Sequence, residues 1–128
     1  KRKIFSWYEA RLGSVEGLTL NVGPPGTENS YWMVTAILDA GLGLTKDRLI
    51  PLMEERKALC RPVFHPLSSL PAYEGLPQAE EARRRNTVSY RISPLGVNLP
   101  CGMSMAAEKV DYECDSLVQI LQAAQVRR

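Results

Sequence analysis

Tyr31-Trp32-Met33-Val34-Thr35-Ala36-Ile37-Leu38 is the stretch whose reading decides the fold. It is almost continuous in aromatic, β-branched and aliphatic side chains, the composition of a strand. A run without polar alternation predicts burial on both faces, and so a central strand over 31–38, ended by Gly41 and Gly43. Downstream, Thr45 is placed to cap a helix with Asp47 in its first turn. Leu49, Ile50, Leu52 and Met53 then carry a helix over 46–57, and Pro51 inside it predicts a kink. Ala58 to Phe64 reads as a second strand, which Pro62 confines to an edge or a bulge.

Upstream, Ile4, Phe5, Tyr8 and Leu12 recur at helical spacing over 1–12, and Gly13 stops that helix. Val15, Leu18 and Leu20 lead into the loop Gly23-Pro24-Pro25-Gly26. Further on come a polar helix over 77–85, a short helix over 87–93 and a short strand from Val97 to Leu99. Ser104 is read as the cap of a last helix over 105–123, with Val110, Cys114, Leu117 and Leu121 on one face. This order predicts an α/β (α+β) fold, a small and mostly antiparallel sheet covered by helices.

The chain has 128 residues, the size of one domain. Its 45% hydrophobic and 23% charged content is that of a globular domain rather than a disordered tail. A net charge of +2 gives no electrostatic footprint for nucleic acid. No apolar run approaches the roughly 18 residues that span a bilayer, so no membrane partner is expected. Cys60, Cys101 and Cys114 are odd in number and widely spaced, which fits a reducing, cytoplasmic setting. With His65 they could supply four zinc ligands, but no C-x-x-C hook is present, and no metal is expected. The start has neither a signal-peptide pattern nor a capping residue. The chain therefore reads as part of a longer one, with the apolar face of its first helix left partly uncovered.

Few residues point to catalysis. His65 lies between Phe64 and Pro66, no serine stands in a strand–turn–helix elbow, and no lysine falls in an apolar pattern. The run Arg83-Arg84-Arg85 sits beside Glu80 and Glu81 and reads as a solvated face. No residue is therefore expected to be catalytic. One segment stands out, Arg61-Pro62-Val63-Phe64-His65-Pro66-Leu67-Ser68-Ser69-Leu70-Pro71-Ala72-Tyr73. Its prolines stiffen a loop that carries a planar cation, an imidazole and a phenol, groups suited to an anionic or sugar ligand. A proline-rich connection with surface polar groups is the alternative.

That segment resembles the R-P-x-F-x-P-L-S-x-L-P-A-Y loop of the DegT/DnrJ/EryC1/StrS family of pyridoxal-phosphate-dependent sugar aminotransferases. Asn29-Ser30-Tyr31-Trp32-Met33-Val34 resembles the strand by which the family enters its small domain, and Gly96-Val97-Asn98-Leu99-Pro100 its turn before the last helix. The chain departs from the pattern at Lys57, where the family often has glycine, and after Ser104, where acidic residues are usual. The resemblance implies the C-terminal small domain of a fold-type I aminotransferase. Residues 1–20 would form the interdomain helix and connection, and residues 21–128 the body. The implied enzyme moves an amino group from an amino acid, commonly glutamate, to a nucleotide-linked keto sugar in polysaccharide or amino-sugar biosynthesis. Pyridoxal phosphate would be held mainly by an N-terminal domain that has no counterpart here, so none is expected on this chain. A homodimer is implied for the whole enzyme. Implied substrate-side residues are Tyr31 and Trp32 as walls, Arg61 as an anion contact and His65 as a hydrogen-bond partner. Strand core for the two aromatics and a carboxylate partner for Arg61 are the structural alternatives. A stand-alone binding or regulatory domain is the alternative function.

Overall fold

The computed structural model describes residues 1–126. Five helices, α1 (Arg2–Leu12), α2 (Lys46–Glu55), α3 (Pro77–Arg85), α4 (Thr87–Ile92) and α5 (Ala107–Val126), accompany four strands, β1 (Leu18–Leu20), β2 (Val34–Leu38), β3 (Arg61–Pro62) and β4 (Gly96–Leu99). The strands form one antiparallel sheet in the order β1-β2-β4-β3. The expected α+β class is therefore observed. β2 is central, and Pro62 lies on the edge strand, where a missing N–H needs no partner.

Side chains alternate across the sheet. Val34, Ala36 and Leu38 of β2 and Val97 and Leu99 of β4 are buried beneath α1, α2 and α5. The register Thr35↔Asn98 and Ile37↔Gly96 puts the intervening residues on the other, less covered face. The uninterrupted apolar run thus does not signal burial on both sides.

Several boundaries differ from the sequence reading. β2 begins at Val34, not Tyr31. Tyr31 has φ +48°, and its N–H is taken at 2.8 Å by Asn29 Oδ1, an Asx-type turn that breaks the extended chain. β3 is two residues long rather than seven. Continuing its register, Leu59 would face Pro100, which has no N–H to offer. Instead the Leu59 N–H donates to Glu113 Oε2 at 2.8 Å, and Tyr8 donates its hydroxyl to the Pro100 carbonyl at 2.9 Å. Leu18–Leu20, read as a lead into a loop, is an edge strand paired with β2. The last helix starts at Ala107, so Ser104 lies in the preceding turn and does not cap it. α2 continues through Pro51. The carbonyl left without a donor is that of exposed Asp47, where solvent reaches it.

The first helix is not left uncovered. Ile4, Phe5, Tyr8 and Leu12 are all buried within the chain, against α5 and the sheet. Arg11 reinforces this packing by pairing with Asp111, at 3.0 Å, and with Asp115 on α5. The expectation of an exposed apolar stripe on α1 is overturned, because α5 is long enough to pack against it.

The end of α2 explains the departure at position 57. Lys57 N–H bonds to the Glu54 carbonyl at 2.8 Å and Ala58 N–H to the Met53 carbonyl at 3.0 Å, the paired bonds of a Schellman cap. Such a cap needs a left-handed residue, and Lys57 supplies it at φ +54°. A lysine there pays the Cβ strain that glycine avoids. Lys57→Gly is therefore expected to stabilise the chain by about 1 kcal/mol, seen as a melting point a few degrees higher. A lower melting point would show that the lysine side chain outweighs the strain.

Candidate functional site

The less covered face of the sheet carries the candidate site. β2 and β4 give it a polar floor. The Thr35 hydroxyl donates to Asn98 Oδ1 at 2.8 Å, and the Thr35 N–H donates to Asn21 Oδ1 at 2.7 Å. Asn98 Nδ2 reaches the Pro62 carbonyl at 3.4 Å. These bonds hold a row of carboxamides and hydroxyls in fixed orientation, as recognition of a polar ligand requires. By the Arg61↔Asn98 register, Arg61 stands on this same face.

One wall of the site is aromatic. Trp32 and Phe64 stack with centroids 6.4 Å apart and planes 19° from parallel. They are 65% and 66% exposed, a paired apolar surface that solvent does not favour. Trp32 reaches this position because the turn at Tyr31 swings it off the line of β2. The Cys101 thiol, at 3.3 Å, donates to its carbonyl. Floor and wall enclose a cleft of about 330 Å³, with Asn21, Asn29, Ser30, Met33 and Val63 completing its lining. No carboxylate lines it. A neutral polar cleft beside a guanidinium is suited to an anionic ligand with a planar or ring-shaped part.

The implied substrate-side residues are not all brought together. Tyr31 leaves the cleft and stacks on Phe5 of α1, centroids 3.7 Å apart, so it packs the loop onto the first helix. Trp32 forms the cleft wall. Arg61 is exposed and has no carboxylate partner among the described residues. His65 follows Phe64, is exposed, and makes no hydrogen bond among the described residues. Phe64 and Asn98 lie within the family-like segments but, like Thr35 and Asn21, were assigned no substrate-side role from the sequence. A polar residue inside an otherwise apolar strand, as at Asn98 and Thr35, was the available signal.

Other reactive groups stand elsewhere. Burial, and then the negative charge of Glu113, pushes the Cys60 thiol up to about 11; burial first pushes Cys114 up to about 12. Neither is a nucleophile near neutral pH. Tyr8 is likewise raised, by burial and then by Glu113. Lys46, which falls in no apolar pattern in the sequence, is nonetheless only 3% exposed, and its Nζ donates to the Val63 carbonyl at 3.2 Å and to Ser93 Oγ at 3.4 Å. Among the described residues, no three metal-ligating side chains come together. No helix among them is long and apolar enough to cross a membrane.

A model of the DegT/DnrJ/EryC1/StrS aminotransferase family matches residues 1–118. A GDP-perosamine synthase of Vibrio cholerae is 31% identical over 119 residues, 91% of this chain and 30% of the relative. The chain thus spans about a third of the length of the curated relatives it matches. Among solved structures, the aminotransferase TlmJ from Streptoalloteichus hindustanus superposes with a TM-score of 0.70 at 23% identity, covering 95% of this chain and 31% of that one. DesI, in the presence of its TDP-sugar product, superposes with a TM-score of 0.77 at 17% identity, covering 99% and 33%. At these identities the two structures speak for the fold alone.

Proposed function

Because the chain belongs to the DegT/DnrJ/EryC1/StrS aminotransferase family, we propose that it is the small, C-terminal domain of an enzyme that aminates a nucleotide-linked keto sugar. In this reading residues 1–20 are the helix and connection to the rest of the enzyme, and residues 21–128 are the body. The amino donor is an amino acid, glutamate in the first instance. The whole enzyme is a cytoplasmic homodimer serving polysaccharide or amino-sugar synthesis. The observation that carries the reading is the Trp32–Phe64 wall over the Thr35–Asn98 floor, a neutral cleft that meets the needs of a ring with polar edges. Arg61, on the same face and without a carboxylate partner among the described residues, is the contact for a diphosphate. His65, beside Phe64, donates to or accepts from a sugar hydroxyl.

The family implies pyridoxal phosphate, which supplies the electron sink for moving the amino group. This chain's own donor set does not fit it. The buried amine, Lys46 Nζ, is already engaged by Val63 and Ser93, and the cleft lining offers no lysine and no carboxylate for the pyridine nitrogen. In the proposal the cofactor therefore belongs to the remainder of the enzyme, and the cleft serves the sugar nucleotide.

The test is amino transfer by the enzyme that carries this chain, from glutamate to a GDP-linked keto sugar, followed by mass spectrometry. The GDP-linked substrate comes first because the relatives named above include a GDP-perosamine synthase. Trp32→Ala is expected to raise KM for the sugar nucleotide about tenfold, roughly the loss of one aromatic contact, with kcat little changed. No transfer to any nucleotide-linked keto sugar would sink the reaction. An unchanged KM would remove Trp32 from the substrate side.

A further inference from the structure

Lys46 opens α2, at a position where a lysine normally extends into water, yet it is only 3% exposed. A buried amine is tolerated only where acceptors replace its hydration. The acceptors here form a directed chain. Lys46 Nζ donates to the Val63 carbonyl at 3.2 Å and to Ser93 Oγ at 3.4 Å. Ser93, itself buried, donates its single hydroxyl proton to the Phe64 carbonyl at 3.1 Å.

Two consecutive carbonyls, those of Val63 and Phe64, are thus held by side chains from two separate elements, α2 and the 3₁₀ turn Ser93–Leu95. The Val63 N–H is engaged as well, by the Gly96 carbonyl at 2.9 Å. This is the short piece of chain that leaves the edge strand β3 and carries the Phe64 ring to Trp32. Edge strands and the loops that follow them are weakly fixed by pairing alone. Here β3 has only two paired residues, so the side-chain bonds supply what the ladder does not. Lys46 does not line the cleft, and so it acts on the cleft only through these carbonyls.

We propose that Lys46 is a positioning residue which, through Ser93 and the Val63–Phe64 carbonyls, holds Phe64 against Trp32 and sets the aromatic wall of the cleft. Its consequence for catalysis rests on the reading of the cleft as the sugar-nucleotide side. Its consequence for the wall does not.

Two measurements separate these. In the 128-residue chain, Trp7→Phe leaves Trp32 as the only indole, because the sequence holds two tryptophans. Lys46→Met and Ser93→Ala are each expected to raise acrylamide quenching of Trp32, by at most about 1.5-fold, the ceiling set by the step from 65% to full exposure. If Lys46→Met does not fold, Ser93→Ala, which removes one hydroxyl, carries the test. Unchanged quenching in a cooperatively unfolding Ser93→Ala chain overturns the proposal.

In the whole enzyme, Lys46→Met is expected to raise KM for the sugar nucleotide several-fold with kcat little changed. Added to Phe64→Ala, it should cost nothing more, since both act through one ring. Full additivity overturns the route through Phe64. Enhanced quenching with an unchanged KM upholds the network and overturns the reading of the cleft as the substrate side.

Discussion

Glu113→Ala is expected to cost about 3 kcal/mol of folding free energy, the sum of an orphaned backbone donor and an unfilled space. Glu113 is fully buried on α5, and its Oε2 is the acceptor for Leu59 N–H at 2.8 Å. Its Oε1 lies 3.0 Å from Lys109 Nζ but out of line for a hydrogen bond, so that contact is electrostatic rather than directed. The two roles differ in weight. The Lys109 side chain is 42% exposed, so solvent screens the pair and rehydrates the amine when the carboxylate is removed. Leu59 N–H, in a residue 58% exposed, loses a charged acceptor that reaches it from the fully buried side chain of Glu113, and the Pro100 carbonyl opposite it in the extended register is already engaged by Tyr8. Glu113→Gln keeps an acceptor for Leu59 and should cost only about 1 kcal/mol, the scale of a screened ion pair. Urea midpoints at unchanged slope measure both. A glutamine variant as unstable as the alanine one would place the weight on Lys109 instead.

Gly96→Ala is expected to cost about 1–3 kcal/mol, the range for overpacking a well-filled site. Its backbone, at φ −102° and ψ 137°, suits any residue, so the demand for glycine is one of space. A Cβ there would stand 2.7 Å from Val63 Cγ2 and 2.9 Å from both Val63 Cβ and Ile37 Cδ1. The end of the isoleucine can swing away. Val63 Cβ cannot move without its backbone, and that backbone is pinned by Lys46 on one side and Gly96 on the other. The strain therefore passes into the segment that presents Phe64, and under the proposed function the KM for a sugar nucleotide rises along with the loss of stability. A Gly96→Ala chain with wild-type stability would mean that Val63 has more freedom than its bonds imply.

The sequence made the helices and the central strand legible, since each rests on a local pattern or a local composition. Ile4, Phe5, Tyr8 and Leu12 mark α1 by spacing alone, and Pro77 to Arg85 marks α3. Misread boundaries have causes outside the misread segment, some a residue or two away and some far along the chain. Nothing in the composition of Tyr31-Trp32-Met33 shows that Asn29 will capture the Tyr31 N–H. Nor does Ala58 to Phe64 show that Glu113, 54 residues after Leu59, will take its donor. Leu18–Leu20 is too short to be seen without its partner in β2. The candidate cleft was legible only in part. Of the expected residues Trp32 lines it and Arg61 and His65 stand outside its lining, whereas the floor depends on Thr35 and Asn98 meeting across a ladder. Lys46 was misplaced because a lysine at the start of a helix is ordinarily wet.

The clasp between α1 and α5 also bears on the order in which the chain can fold. Arg11 meets Asp111 and Asp115, and Tyr8 meets Pro100, across separations of 92 to 104 residues. Closing a loop of that length costs about 4 kcal/mol of chain entropy before any contact repays it. During synthesis α1, β1 and β2 emerge while β4 and α5 are still inside the ribosome, so their apolar faces wait without their native cover. The native cover of α1 is complete only once α5 has been made, and contacts of such high sequence separation are the kind that slow folding.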